Sequence, residues 1–440
     1  MKEFKLLILG LLSIVTYHTN AQWIELKDNS GFYFDHRIYD MVTDSLNNVY
    51  AAGFFANDSG CFIAKWDGTS WTELGGKYAS TFNSSITTIH FDKFGNLYAA
   101  GEFSDFKGKP YSEQKMLAKW DGKNWKKIGI FNNKIICITS DDLGNIYVGG
   151  QLINKNQKTY VAKYENNTWQ ELGGNDSSTF SGGINSIVFD SKSRLYAGGY
   201  LLNSSQKLIV AMWDGFKWTE LGADSGYFND GISSLATDKN DNIYAGGFFK
   251  NAKKQCYITQ WNGKQWIAGE GLPIDTIGYA SIIELKCDSE GNVLAVGFLR
   301  NQQNNFILGK WNGKDWNESV VLENTKLESI SSIIIDHNNQ ILISLYDWDK
   351  SVVIKRTNPL GLTDIENSSR ILVYPNPFSN KIKVTNTSGD EEYVLRDILG
   401  NNIYSGKRIH EIDFSLIPIG PYILQINTDD KTTTLKILKE

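Results

Sequence analysis

Seven near-copies of one segment recur along this chain, and their spacing constrains the fold more tightly than any other feature. Each copy opens on an isoleucine, carries an apolar residue three positions on and an aspartate three positions further. The isoleucines are Ile38, Ile86, Ile135, Ile184, Ile232, Ile282 and Ile330, and the aspartates are Asp44, Asp92, Asp141, Asp190, Asp238, Asp288 and Asp336. Consecutive copies stand 48 to 50 residues apart. Six residues after the aspartate comes Tyr50, Tyr98, Tyr147, Tyr196, Tyr244, Leu294 or Leu342. A later segment ends on Trp66, Trp120, Tyr164, Trp213, Trp261 or Trp311, and five residues beyond it sits Trp71, Trp125, Trp169, Trp218, Trp266 or Trp316. A repeat of this length is one supersecondary unit that cannot bury its apolar face alone and stacks on its neighbours.

Each unit reads as four short strands, here called a to d. In the second copy they fall at about Ile86–Phe91, Asn96–Phe103, Met116–Trp120 and Trp125–Ile128. The a–b connection is a D-x-x-G-N turn, in which the aspartate caps the turn and Gly or Asn accepts positive φ. The c–d connection is W-D-G or W-N-G, a hairpin signal that puts both tryptophans of a unit on one sheet face. Four-stranded antiparallel sheets repeated seven times predict an all-β, seven-bladed propeller over residues 22–357. The ring also has to close. The seventh unit runs through Ile330–Asp336, Gln340–Leu345 and Val352–Arg356 and then stops without its outer strand. The missing strand stands at the other end, Trp23-Ile24-Glu25-Leu26, a close match to Trp71-Thr72-Glu73-Leu74. The N-terminal segment is therefore expected to pair two edges that would otherwise stay open.

The core from Asp141 to Gly150, D-x-x-G-N-x-Y-x-G-G, resembles repeats of secreted bacterial propellers and is kelch-like in its paired glycines. Ahead of it, Lys2 and Lys5 precede an apolar run from Leu6 to Val15, with Thr19 and Ala21 placed for cleavage before Gln22. That is the pattern of a signal peptide over residues 1–21, and the run is too short to span a bilayer. No transmembrane segment is expected in the mature protein. The net charge of −5 and the lack of a basic cluster argue against nucleic acid as a partner. Four cysteines in an exported chain raise the question of disulfides. Cys61 and Cys256 hold equivalent places in blades 1 and 5, and Cys137 and Cys287 lie on strand a of blades 3 and 6. Neither like-placed pair comes from adjacent blades, which predicts four buried free thiols.

Beyond a polar linker, 358–370, the pattern changes. Residues 371–440 read as a small β-sandwich of alternating strands separated by Gly, Asn and Pro turns. Its motifs run in the order Tyr374-Pro375-Asn376-Pro377, Asp397-Ile398-Leu399-Gly400, Gly420-Pro421-Tyr422 and Lys436-Ile437-Leu438-Lys439. That order resembles the type A C-terminal sorting domain of the type IX secretion system of Bacteroidota. The resemblance implies handling by the type IX secretion machinery and delivery to the outer-membrane surface or the medium of a Gram-negative bacterium. Carried over, Tyr374, Pro375, Asn376 and Pro377 open the domain, Gly400, Gly420 and Tyr422 mark its turns and a strand, and Lys436 and Lys439 belong to the signal end.

Catalytic motifs are absent: there is no H-E-x-x-H, G-x-S-x-G or Walker loop. His36, His90 and His337 occupy unrelated positions in their blades, so no metal site and no cofactor is expected. The repeated aspartates and tryptophans read as turn caps and packing residues. The d–a and b–c loops share one face of a propeller and vary more than the tight turns opposite, and variable loops on a rigid scaffold carry binding. Phe34, Phe82, Phe180 and Phe228 lie in d–a loops and Trp348 in the b–c loop of blade 7. Aromatics among small polar residues suit glycan or peptide recognition, although the phenylalanines could equally plug seams between blades. The function this supports is a secreted or surface binding propeller for a glycan or protein. The alternatives are a polysaccharide-acting enzyme with its site on the loop face, or a structural adhesion module.

Overall fold

The computed structural model describes residues 22–439 apart from 28–30, 59, 77–80, 107–111, 174–179, 223–227, 270, 273–279, 323–327, 349, 358–371, 375–377, 379, 386–390, 398–399 and 428–431. The expected signal peptide, the linker and Pro375, Asn376 and Pro377 therefore lie outside the described residues. Two compact units emerge, one over Trp23–Thr357 and one that includes Asn358–Glu440.

The first unit consists of seven four-stranded antiparallel sheets. In blade 2 the strands are Ile86–Phe91, Leu97–Gly101, Lys115–Trp120 and Trp125–Phe131. Blade 7 takes Ser329–Ile335, Ile341–Asp347 and Lys350–Thr357 from one end of the unit and Gln22–Glu25 from the other. Leu26 N–H extends that pairing to Val353 O at 2.9 Å. The hydrophobic effect supplies the reason for the ring, because each core cluster is a seam between two blades. Tyr50, Ala52 and Ile63 of blade 1 pack with Ile86, Ile89 and Trp125 of blade 2. Ile334, Leu342 and Val353 of blade 7 likewise pack with Ile38, Met41 and Trp71 of blade 1, so the last seam is filled like the others. A blade taken alone would expose both faces of this packing.

The tryptophan pairs stand directly across the c–d hairpin, Trp66 against Trp71 and Trp120 against Trp125, with ring centroids 5.6 and 5.3 Å apart. In blades 1, 3 and 5 the strand-d indole also ties its blade to the preceding one. Trp71 Nε1–H donates to Leu26 O at 2.8 Å, Trp169 to Ile128 O at 2.7 Å and Trp266 to Leu221 O at 3.0 Å.

The D-x-x-G-N-x-Y motif is a self-contained hydrogen-bonding device. In blade 2, Asp92 Oδ1 accepts the N–H groups of Phe94 and Asn96, while Oδ2 accepts Asn96 Nδ2 and the Tyr98 hydroxyl. Asp44, Asp141 and Asp238 repeat all four contacts. In blades 1 to 3 a lysine of strand c faces the tyrosine, with Lys119 Nζ 5.4 Å from the Tyr98 ring centroid. Where leucine replaces tyrosine, that lysine turns to the aspartate instead, Lys310 to Asp288 at 3.1 Å and Lys355 to Asp336 at 3.9 Å. These carboxylates are thus engaged by N–H, O–H and ammonium donors within the turn.

The loop face is more regular than the sequence reading expects. The b–c connections of blades 3 to 6 are four copies of one asparagine-capped turn. Asn154, Asn203, Asn251 and Asn301 each accept two backbone N–H groups through Oδ1. Blade 1 departs from them with a small three-stranded sheet of Ala56–Asn57, Gly60–Phe62 and Thr81–Phe82.

The second unit holds a two-stranded sheet, Leu372–Tyr374 with Lys383–Thr385. Beside it is a four-stranded sheet of Asn402–Gly406, Glu392–Asp397, Gly420–Asn427 and Thr432–Lys439 in that order. Phe378, Ile382, Tyr393, Phe414, Tyr422 and Ile437 are among the residues of its core. Gly400 follows Asp397 in a turn of the same type as those of the blades, with Asn401 N–H and Nδ2 donating to the Asp397 carboxylate. The Tyr422 hydroxyl donates to Pro418 O at 2.7 Å, and Gly420 has φ 146°. Lys436 and Lys439 lie on the final strand, with Lys439 buried.

Candidate functional site

Four of the five aromatics expected to meet a ligand are placed elsewhere by the structure, which corrects that expectation. Phe34, Phe82, Phe180 and Phe228 are 3%, 0%, 4% and 8% exposed. Each packs edge-on against a strand-d tryptophan, at 5.0 Å from Trp71, 5.3 Å from Trp125, 5.8 Å from Trp218 and 5.2 Å from Trp266 respectively. Rings enclosed in this way have no face left for a sugar or a peptide. Their spacing carried the signal: each stands four residues ahead of the first isoleucine of strand a, as does Phe131, and a position that recurs with the repeat belongs to the repeat's core. Trp348 is different. It is 72% exposed in a left-handed turn with φ 48°, braced by the Tyr346 hydroxyl donating to its carbonyl and by Lys350 N–H donating to Asp347 Oδ1.

Three aromatics that do reach solvent, Phe54, Tyr200 and Phe248, arise from another position, four residues after the tyrosine or leucine of strand b. In chain order it is Phe54, Glu102, Gln151, Tyr200, Phe248, Phe298 and Tyr346. Its backbone is held at the loop-face end of strand a. Phe54 N–H donates to Arg37 O at 3.0 Å, Phe248 N–H to Gly231 O at 2.9 Å and Phe298 N–H to Ser281 O at 3.0 Å. In blades 1 to 6 the residue before it is glycine, and a Cβ on Gly53 or Gly247 would collide with the carbonyl oxygen of residue 37 or 231. A bulge in strand a between Ile38 and Asp40, repeated in blades 3 to 7, brings the backbones this close. Blades 4, 5, 6, 7 and 1 are adjacent in the ring, so Tyr200, Phe248, Phe298, Tyr346 and Phe54 form an aromatic crescent around the channel mouth. Phe54 is 47% exposed, Tyr200 46% and Phe248 38%. Tyr200 and Phe248 stack at 6.4 Å, and His36 meets Phe54 edge-on at 5.1 Å.

A cleft of about 440 Å³ opens within the crescent, lined by Asn229, Asp230, Phe248, Lys250, Ala280, Ser281 and Phe298. Asp230 accepts Gly231 N–H at 2.7 Å and the Tyr200 hydroxyl, and burial followed by that carboxylate raises the tyrosine's pKa. A second cleft, about 830 Å³, lies at blade 1 between Phe32, Tyr33 and Phe62 and the carboxylates Asp35, Asp58 and Glu73.

Behind the mouth, strand a of all seven blades lines an axial cavity of about 270 Å³. One position on this strand latches neighbouring blades. Asp40 Oδ2 accepts Ile89 N–H, Ser186 Oγ accepts Leu235 N–H, Ser234 Oγ accepts Leu285 N–H and Glu284 Oε2 accepts Ile333 N–H. Two of these latches are carboxylates, and Lys286 bridges to Glu284 at 2.8 Å. Burial and then the Glu284 charge push Asp40 up to about 7, against the lowering pull of Lys286 and the Ile89 N–H. Glu284 holds the Lys286 ammonium in its charged form. Burial takes His90 down to about 4, and its Nε2 lies 2.9 Å from Ser140 Oγ. Among the described residues, no three His, Cys, Asp or Glu side chains are arranged to hold a metal ion.

All four cysteines are free thiols. Cys61 and Cys256 are buried as expected, but Cys137 and Cys287 are half-buried, and Cys137 borders the axial cavity. Burial raises their pKa values to about 11 for Cys61 and Cys256 and about 12 for Cys137 and Cys287, so the unreactive thiol form prevails.

Comparison with known proteins separates the two units. Residues 372–440 match a family described as the secretion system C-terminal sorting domain. This unit is a type IX sorting signal, and it marks the chain for export beyond the cytoplasm. No helix among the described residues is long and apolar enough to cross a membrane. No curated protein matches the chain. Among solved structures, PorZ, a surface component of the type IX secretion system of Porphyromonas gingivalis, is similar with a TM-score of 0.50 and 14% identity, over 94% of this chain and 60% of its own. The extracellular domain of a putative hybrid two-component system from B. thetaiotaomicron reaches a TM-score of 0.53 at 14% identity, over 96% and 60%. The chain thus spans about 60% of the length of these structures. At this identity the likeness shows a common all-β, propeller-like fold and nothing about ligands.

Proposed function

We propose that the exported chain is a secreted or surface binding protein whose propeller holds a glycan at the channel mouth. One observation carries this reading: aromatics occupy the same mouth position in five adjacent blades, and three of them keep more than a third of their surface in water. Burying an aromatic ring is worth far more than leaving it wet, so partly exposed rings lining one rim are surface held for something else. The faces of pyranose rings, which are largely C–H, stack on such side chains, and the polar edges of a sugar find Asn229, Asp230 and Lys250 in the adjoining cleft. Trp348 and Tyr33, both 72% exposed, are further aromatic contacts of the blade 7 and blade 1 loops.

The enzyme alternative would call on Asp40 and Glu284. Their cavity is smaller than the mouth cleft, and each carboxylate already accepts a backbone N–H from the next blade. That arrangement serves blade registration better than proton transfer to a polymer. The test is binding of the full chain to a glycan array, followed by titration of the best glycan. Tyr200→Ala and Phe248→Ala should each weaken it about tenfold, equivalent to about 1.4 kcal/mol. Wild-type affinity in both variants would sink the mouth as the site.

A further inference from the structure

We infer that the glycan bound at the mouth is anionic and that Arg37 receives its carboxylate or sulfate group. This rests on the glycan reading of the same site. Arg37 immediately precedes strand a of blade 1, and its carbonyl is anchored by Phe54 N–H. Its guanidinium carbon lies 6.0 Å from the centroid of the Phe298 ring and 5.7 Å from that of Tyr346. Two members of the crescent, from blades 6 and 7, therefore hold the cation at the mouth. Cation–π contacts of this kind orient a guanidinium and leave its N–H donors without a hydrogen-bond acceptor.

Comparison around the ring shows what is unusual. The positions equivalent to Arg37 in the other blades are Ser85, Lys134, Gly183, Gly231, Ser281 and Ser329. Only Lys134 is also charged, and Glu102 neutralises it at 2.8 Å. Arg37 is half-buried and has no carboxylate within ion-pairing distance among the described residues. Lys250, in the cleft beside Phe298, has none either. The one carboxylate lining that cleft, Asp230, is already committed to Tyr200 and the Gly231 N–H. Arg37 and Lys250 therefore stand beside aromatic faces with neither in an ion pair among the described residues. A planar guanidinium fork fits a carboxylate or sulfate by paired hydrogen bonds, and a sugar bearing one would stack on Phe248 or Phe298 while its anion meets Arg37. An acidic peptide could match the charge, but it would leave the exposed ring faces without a flat partner.

The experiment titrates the full chain with uronate- or sialate-bearing oligosaccharides, sulfated oligosaccharides, their neutral counterparts and an Asp/Glu-rich peptide. Wild type should bind the carboxylated or the sulfated series at least about tenfold more tightly than the neutral one, and the stronger series identifies the anion. Arg37→Gln should lose about 10- to 100-fold toward that series, with little change toward neutral sugars. Arg37→Lys, which keeps the charge without the fork, should fall between, and it carries the comparison if Arg37→Gln does not fold. An anionic glycan bound equally by wild type and both Arg37 variants would overturn the inference. So would a preference for neutral sugars, although binding that still depends on Phe248 would leave the glycan reading standing. Capture of the acidic peptide alone, or of no probe at all, would overturn both.

Discussion

The two rims of this propeller come from the same seven blades and use sequence in opposite ways. At the turn rim, backbone and side chain are fixed together: Asp92 binds Phe94, Asn96 and Tyr98, and its counterparts repeat the pattern. At the mouth rim the blades share only the backbone contact. Phe54, Phe248 and Phe298 each donate an N–H to the residue before strand a, while the side chains at this position meet different partners: the Tyr200 hydroxyl Asp230, the Tyr346 hydroxyl Trp348 O and Glu102 the Lys134 ammonium. The position therefore drifts from phenylalanine through glutamate and glutamine to tyrosine without disturbing the ring. Seven-fold equivalence belongs to the scaffold, and departure from it is what can single out one ligand.

If that contrast holds, damage to the scaffold should cost stability and damage to the mouth should not. The largest loss is expected for Trp266→Ala, which empties a fully buried seam and removes the bond to Leu221, at about 3–5 kcal/mol in a urea titration. A loss below about 1 kcal/mol would mean that the seams do not hold the ring together. Next, Asp92→Ala strips four donors of their acceptor and should cost about 2 kcal/mol, whereas Phe94→Ser in the same turn, at an exposed site, should cost almost nothing. Equal effects would dissolve the distinction between fixed and free positions.

A third test reads the axial cavity between the rims. Asp40 is raised from 3.8 to about 7, so the folded state holds a proton there that the unfolded chain releases, and this contribution to stability is lost as pH rises through that window. His90 is lowered from 6.5 to about 4, so the unfolded chain takes up the extra proton and stability is lost as pH falls from 6.5 toward 4. The two slopes oppose each other, each at most about 1.4 kcal/mol per pH unit. Asp40→Asn should leave a stability that rises with pH between 4 and 6.5, and His90→Gln one that falls. Parallel profiles for both variants would refute the assignment. The smallest effect belongs to the mouth: Phe248→Ala should change stability by less than about 1 kcal/mol while weakening ligand binding. A larger loss than that of Asp92→Ala would reverse the comparison between the rims.

Much of the blade was legible residue by residue. Spacings of 48 to 50, the Asx-capped turns and the paired tryptophans are local patterns whose hydrogen bonds close within a few positions. Even the borrowed strand could be read, because Trp23-Ile24-Glu25-Leu26 repeats a motif missing from the far end. The site was less legible. For the loop phenylalanines the sequence left ligand contact and seam packing both open, and only the closed seams decided between them; the position of Glu102 fell inside strand b, with nothing local to show that its seven copies gather at one mouth. The asparagine turns of blades 3 to 6 also went unread, which left the loop face looking more variable than it is.

Sequence alone determined the repeat, the blade count, the turn chemistry and the sorting signal, because these depend on contacts between residues close in the chain or on matching motifs. Tertiary structure decided which aromatics are enclosed and which face water, and it brought Arg37 of blade 1 over Phe298 of blade 6 and Tyr346 of blade 7. It also set Asp40 beside Glu284 and Lys286 across the axis. Burial and the proximity of distant charges exist only once the ring has closed.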